Sequence, residues 1–186
     1  MELSEAFYAG LSLVDTDTLK KASQNKEAFV ELYDVAVQNF AGPLVKDGQG
    51  NATKNSGVNK ISVKEGQSPN IKLYNDMAAA LSAVIGTRTI SQLSGVPEAV
   101  YLTGNKWHND VKQFYIDVDA GFGMKDYNSS DVILRYGNTY AGISLKKKPT
   151  VTSASPTMIN NSFNTFLSGK DLSALQTKIN DIRTTF

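Results

Sequence analysis

The sequence predicts a mixed α+β (α/β) domain, in which helices flank a small mixed sheet and an N-terminal helical segment packs on that core. Apolar residues recur with helical spacing through most of the chain before Pro97. Two runs with alternating hydrophobicity surround Gly137 and Asn138, which is the pattern of a β-hairpin. The 186 residues are 41% apolar, enough for one well-packed core.

Composition and charge exclude several classes of site. With 19 basic and 18 acidic residues the net charge is +1, so any attraction to nucleic acid must be local. The chain contains no cysteine, which excludes disulfides, thiol catalysis and cysteine-ligated zinc, and His108 is its single histidine. The first residues lack a basic leader region, and no apolar run approaches the ~20 residues of a membrane span. We therefore expect a soluble protein of the cytoplasm that does not bind membranes.

The N-terminal segment is expected to be helical. The predicted helices cover residues 3 to 14, a stretch from Thr16 or Asp17 to Phe40, and residues 70 to 85 with a break at Gly86. Between the last two, residues 46 to 69 are rich in Gly, Asn, Lys and Ser, which predicts a mobile loop with at most one short edge strand. Its lysines either contact phosphates or are simply solvated.

The second half of the chain supplies the predicted strands. Residues 99 to 103 form a compact apolar run between a proline and Gly104-Asn105, which indicates a buried strand. Residues 107 to 118 fit both helical and strand periodicity, so their structure stays open. Helices are expected over residues 157 to 167 and from Asp171 to the end. We divide the chain into a helical segment, 1–97, and a core, 98–186, packed together as one domain.

The register of the hairpin follows from its turn. If Gly137 and Asn138 form the loop, Tyr136 faces Thr139 and Asp131 faces Ser144. This register collects the apolar side chains on one face of the hairpin, whereas a shift by one residue would mix them with the polar set. The second face receives Asp131, Arg135, Ser144 and Lys146. Since opposed and diagonal side chains lie roughly 5 to 7 Å apart, Asp131, Ser144 and Lys146 are expected to converge.

The order of helices, strand, connecting segment and D…S-x-K hairpin resembles the PD-(D/E)xK nuclease superfamily, over roughly residues 100 to 167. The resemblance implies a restriction-endonuclease-like fold, Mg²⁺ or Mn²⁺ as cofactor, and cleavage of DNA. Asp131 would bind the metal, and Lys146, with Ser144 beside it, would act on the phosphate and the attacking water. Arg135 and Lys148 would contact the nucleic-acid backbone. The hairpin segment, residues 131–148, also resembles proteins of tailed phages.

The chain departs from the superfamily at two positions. Ser130 stands in place of the proline, and Ser144 stands where the family usually has a second acid. Members of the family with serine there take the missing carboxylate from a neighbouring helix. The residues that remain open for this role are Glu5, Glu31, Asp76, Asp117 and Asp119.

A second class of function stays open beside the nuclease. A D-x(12)-S-x-K pattern arises by chance, and solvent-facing strands often carry Asp, Ser and Lys. The same hairpin is then a sheet edge or docking surface of a phage structural or assembly protein, which would be associated with the virion and assemble with itself or with other phage proteins. An inactive DNA-binding derivative of the nuclease fold belongs to the same class. His108 is either a base or phosphate contact or simply exposed. Tyr101 and Trp107 either stack on nucleobases or belong to the core.

Overall fold

The computed structural model describes residues 1–117 and 130–146. The chain divides into two compact units, residues 1–147 and 148–186, and the described residues all belong to the first. The helices expected after the hairpin lie outside the described residues, as do Asp119 and Lys148.

The described part of the chain is a mixed α+β fold, as the sequence predicts. Its helices are α1 (Leu3–Leu11), α2 (Thr16–Gln24), α3 (Lys26–Ala41), α4 (Ala52–Ile61), α5 (Ile71–Arg88) and α6 (Asn109–Asp117). Its strands are β1 (Val45–Asp47), β2 (Ala99–Leu102), β3 (Val132–Tyr136) and β4 (Thr139–Ile143). A 3-10 turn, Ser91–Leu93, follows α5.

The four strands form one mixed sheet in the order β1-β2-β3-β4. β1 and β2 are parallel, whereas β3 is antiparallel to both β2 and β4. In the hairpin Val132 pairs with Ile143 and Tyr136 with Thr139, which confirms the register predicted from the turn. Gly137 has a φ of 57°, a left-handed conformation that glycine adopts without a steric penalty.

Each face of the sheet packs against helices. On one face, Val45, Val100 and Leu134 join residues of α1, α3 and α5 in the main core. On the other face, Tyr101 and Ile133 pack against Val111 of α6 in a second, smaller core. Residues 107 to 118, whose periodicity was ambiguous, contain α6. This helix covers the centre of the hairpin face that the sequence predicts to be polar.

The predicted second helix is divided into α2 and α3 at Asn25. The backbone of Asn25 is extended (φ −132°, ψ 123°), and its side chain accepts a hydrogen bond from the Ala28 N–H, which begins a new helix. At the start of α2, Asp15 rather than Thr16 or Asp17 is the N-cap, since its carboxylate accepts from the Thr18 N–H. α5 continues through Gly86, where we expected a break.

Residues 46 to 69 are not the loop that their composition predicts, because they contain most of β1 and all of α4. The carboxylate of Asp47 accepts hydrogen bonds from the backbone N–H groups of Gln49, Asn51 and Lys54, which brings the chain into the first turn of α4. α4 packs closely: the Phe40 ring lies where a side chain at Gly57 would be. A helix that approaches the core through a glycine shows little apolar periodicity.

Candidate functional site

The predicted site residues in the described ranges lie on the face of the sheet that α6 covers. Successive residues of a strand alternate between faces, so Asp131, Ile133 and Arg135 share this face along β3. Asp131 lies directly before β3, and its N–H donates to the Ile143 carbonyl at 2.8 Å. The hairpin ladder thereby extends to Asp131 and holds it beside the chain that follows β4.

The carboxylate of Asp131 is the centre of the predicted site. Its Oδ2 accepts from the Leu145 N–H at 2.5 Å and lies 3.4 Å from the Ser144 hydroxyl. Lys146 Nζ lies 3.9 Å from the same oxygen, and the Asp131 side chain is 26% exposed. The structure therefore brings Asp131, Ser144 and Lys146 together. A half-exposed ion pair at this distance contributes little to stability, so the arrangement orients the groups more than it stabilises the fold.

Thr103, which directly follows β2, fixes the backbone at Asp131. Thr103 Oγ1 lies 2.7 Å from the carbonyl oxygen of Ser130 and 2.9 Å from that of Asp131, so its hydroxyl donates to this pair. Gly142 of β4 faces Ser130, and a methyl group there would overlap the Ser130 hydroxyl oxygen. The glycine thus lets Ser130, which stands where the resembled family has proline, lie close against β4.

The residues considered as a second acid are dispersed. Glu5, Glu31 and Asp76 belong to α1, α3 and α5, which pack on the opposite face of the sheet. Glu5 accepts from the Glu2 N–H at 2.8 Å, and Asp76 is 2.9 Å from Lys72 Nζ. Asp117 lies on α6, on the same side of the sheet as Asp131. Within residues 1–117 and 130–146, no three acidic or histidine side chains form a group suited to a metal ion.

Asp131 nevertheless fits one position of a magnesium site. Mg²⁺ is commonly held by one or two carboxylates, with water and substrate phosphate in the remaining positions. The carboxylate of Asp131 is partly exposed, and the neighbouring Ser144 hydroxyl is a second oxygen. This donor set is compatible with a weakly held ion.

A second polar cluster fastens α6 to the sheet. Asp110, in the first turn of α6, accepts from the Tyr101 hydroxyl at 2.7 Å and from Lys46 Nζ at 3.0 Å. The hydrogen bond from Tyr101 lowers the pKa of the Asp110 carboxyl, burial opposes this, and Lys46 lowers it further. Burial, together with this bond to Asp110, raises the pKa of Tyr101. His108 lies 3.5 Å from the other oxygen of Asp110 and is partly buried.

This cluster decides among the roles considered for its members. Lys46 belongs to β1 and pairs with Asp110, so it is not a loop lysine. Tyr101 is 1% exposed and belongs to the second core, which favours the structural role over base stacking. Trp107 packs at the edge of the same core.

An open cleft of about 510 Å³ lies between α6 and the turn of the hairpin. Its lining residues are Asp110, Gln113, Phe114, Asp117, Arg135, Gly137, Asn138 and Tyr140. The rings of Phe114 and Tyr140 stack, with centroids 4.3 Å apart and planes 26° from parallel. Arg135, which we expected at a DNA backbone, lies here: its Nε donates to the Gly137 carbonyl at 3.0 Å and is 3.7 Å from Glu98.

The cleft and the Asp110 cluster were not found from the sequence. Lys46, Tyr101 and Asp110 come from three separate elements, and no local pattern joins them. Tyr140 carried a signal, since it shares its face with Arg135 in the predicted register. The sequence does not indicate that Phe114 lies beside Tyr140, because residues 107 to 118 fit both helical and strand periodicity.

Comparison with protein-family models, with curated proteins and with solved structures finds no match to this chain. None of the helices in the described ranges is both long enough and apolar enough to cross a membrane.

Proposed function

We propose that the protein is a metal-dependent DNA endonuclease of the PD-(D/E)xK type, encoded by a phage and acting in the cytoplasm of the host cell. The observation that supports it is the convergence of Ser144, Lys146 and the Leu145 N–H on the carboxylate of Asp131. Hydrolysis of a phosphodiester needs a carboxylate for a divalent cation and a positive group for the developing charge on the phosphate. The hairpin supplies both within 4 Å of each other.

Each residue has a definite task in this proposal. Mg²⁺ or Mn²⁺, when bound, polarises the phosphate and lowers the pKa of a water molecule. Asp131 would hold the ion, and the hydrogen bonds from Leu145 and Ser144 fix the direction of its carboxylate. Lys146 is 52% exposed, so its ammonium group is accessible to a phosphate oxygen. Arg135 and Lys148 bind the DNA backbone in this proposal.

The test is plasmid nicking with Mg²⁺ or Mn²⁺ by the wild type and Lys146→Ala. Loss of one group that stabilises transition-state charge costs about 10²- to 10³-fold in rate, so we expect cleavage to fall by at least that factor. Lys112→Ala, which removes an exposed lysine of α6, is the matched control and should cleave normally. Circular dichroism should show both variants folded. Cleavage by Lys146→Ala at the wild-type rate would eliminate the mechanism.

One observation favours a second candidate, a non-enzymatic phage structural or assembly protein or an inactive DNA-binding derivative. In the ranges that the structure describes, Asp131 belongs to no group of three or more acidic or histidine side chains that could hold a metal ion. In that case the hairpin face binds DNA, a second copy of the chain or another phage protein without chemistry. Binding of DNA or self-association that survives in Asp131→Asn, with no nicking by the wild type at any metal concentration, would support this candidate.

A further inference from the structure

We infer that the cleft between α6 and the hairpin turn receives the base of an unpaired guanine nucleotide. The inference rests on the proposed function only in taking DNA as the ligand. It deepens that proposal, because it assigns a base preference to a nuclease whose proposed reacting groups lie elsewhere on the same face of the sheet.

The aromatic wall of the cleft suits a planar base. Phe114 and Tyr140 stack on each other at 4.3 Å, so a base would contact the ring surface that this pair leaves exposed; both residues line the cleft and are partly exposed. Bases stack on such rings in proteins that bind single strands, and every base has the face this requires. The rings therefore account for binding of a base but not for a choice among bases.

The polar residues of the cleft provide the selectivity among bases. Arg135 is the cationic member of the lining, and Asp110 and Asp117 are its carboxylates. Guanine presents two acceptors, O6 and N7, that suit an arginine, and its N2 amino group is a donor that suits a carboxylate. Asp110 already accepts from Tyr101 and Lys46 through one oxygen. Asp117 is exposed, which makes it the better acceptor for a ligand.

Two features orient the polar groups before a ligand binds. The Gln113 side-chain amide donates to Asp117 Oδ1 at 2.7 Å, one helical turn away on α6. Arg135 is held by the Gly137 carbonyl and lies over the Tyr140 ring, 5.9 Å from its centroid. The guanidinium and the carboxylate thus stand on opposite elements of the cleft, as recognition of two edges of one base requires.

The position of the cleft relative to Asp131 gives a further expectation. Arg135 and Asp131 point to the same face of β3 and are separated by four residues, about 13 Å at ~3.3 Å per residue. Successive nucleotides of an unpaired strand are spaced at least as widely as the ~3.4 Å of one strand in B-form DNA. A guanine in the cleft would therefore direct cleavage to a fixed position a few nucleotides away.

The direct test is a calorimetric titration of the protein, without metal, with each of the pentanucleotides TTGTT, TTATT and TTITT, where I is deoxyinosine. Deoxyinosine lacks the N2 amino group, so it removes the bond to the carboxylate alone. We expect TTGTT to bind about ten-fold more tightly than either of the others. Asp117→Ala, which removes the acceptor oxygens, should bring TTGTT and TTITT to the same affinity, whereas Asp34→Ala, an exposed substitution on α3, should leave the preference intact. Phe114→Leu should weaken all three.

Several results would overturn the inference: equal affinity for the three oligonucleotides, absence of binding at millimolar concentration, or an unchanged preference in Asp117→Ala. Repeating the titration with Asp131→Asn separates this inference from the nuclease. Guanine preference without nicking activity in the wild type removes only the proposed reaction. Nicking without any base preference removes only the guanine site.

Discussion

Replacement of Asp47 by alanine should destabilise the protein strongly, although Asp47 lies outside the candidate site. The side chain is 8% exposed and accepts three backbone N–H groups at the start of α4. A net hydrogen bond to a charged group contributes about 1.5 to 3 kcal/mol. Because Asn51 is exposed, and Gln49 and Lys54 are half-buried, water replaces part of the loss. We take about 1 kcal/mol for each bond, or about 3 kcal/mol in total.

A loss of about 3 kcal/mol corresponds to a fall in Tm of about 6 to 12 °C for a chain of this size. Asp47→Asn should fall between wild type and Asp47→Ala, since Oδ1, which serves Gln49 and Asn51, is retained. Asp34→Ala, on the exposed side of α3, is the control and should change Tm by no more than ~1 °C.

The effect should also depend on pH. Burial alone would raise the pKa of the Asp47 carboxyl, but the hydrogen bonds from Lys54, Gln49 and Asn51 outweigh burial and lower it. A lowered pKa in the folded state means that Asp47 stabilises the fold fully above its unfolded pKa of ~3.9. The stabilisation is lost as the pH falls through the folded pKa, so the Tm difference between wild type and Asp47→Ala should shrink below about pH 4.

Thermal unfolding followed by circular dichroism from pH 3 to pH 7 measures these differences. Amide hydrogen exchange of the Gln49, Asn51 and Lys54 N–H groups should accelerate in the alanine variant. An Asp47→Ala protein that melts within 1 °C of wild type at pH 7, or a Tm difference that does not vary with pH, would refute the reasoning.

Three further predictions concern the supports of the fold and the site. Arg88→Met should lower the free energy of unfolding by about 3 kcal/mol in denaturant titration, since the buried guanidinium donates to the Ser12 and Val14 carbonyls; a loss below ~1 kcal/mol would contradict this. Tyr101→Phe should raise the pKa of Asp110 in a carbon-detected NMR titration, because the Tyr101 hydroxyl is the main cause of its lowering; an unchanged pKa would dismiss that cause. Gly142→Ala should lower Tm through overlap with Ser130, and adding Ser130→Gly should restore it; equal Tm in the single and double variants would exclude the overlap.

The sequence predicts the hairpin well because the features that determine its pairing lie close together in the chain. Alternation with a period of two and a two-residue turn fix the pairing of Val132 with Ile143, and that pairing alone places Ser144 and Lys146 beside Asp131. The groups that contact the Asp131 carboxylate lie within 15 residues of it in the chain, so once the hairpin forms they have few other positions to adopt.

The parts that could not be predicted depend on contacts between distant segments. β1 has three residues, and α4 packs through Gly57, so neither shows the periodicity by which elements are recognised. The Asp110 cluster joins Lys46 to a residue 64 positions away. The sequence predicts a polar second face of the sheet. In the folded chain α6 covers this face, which therefore contains a small core and a cleft.

The measurement that bears most directly on the proposed function is calorimetric titration of Mn²⁺ or Mg²⁺ into the wild type and Asp131→Ala, with plasmid nicking assayed on the same samples. The proposal predicts metal binding in the wild type, its loss in Asp131→Ala, and nicking only where metal binds. Absence of binding by the wild type at millimolar metal, or equal binding by both proteins, would contradict a metal site at Asp131 and leave the non-enzymatic candidate.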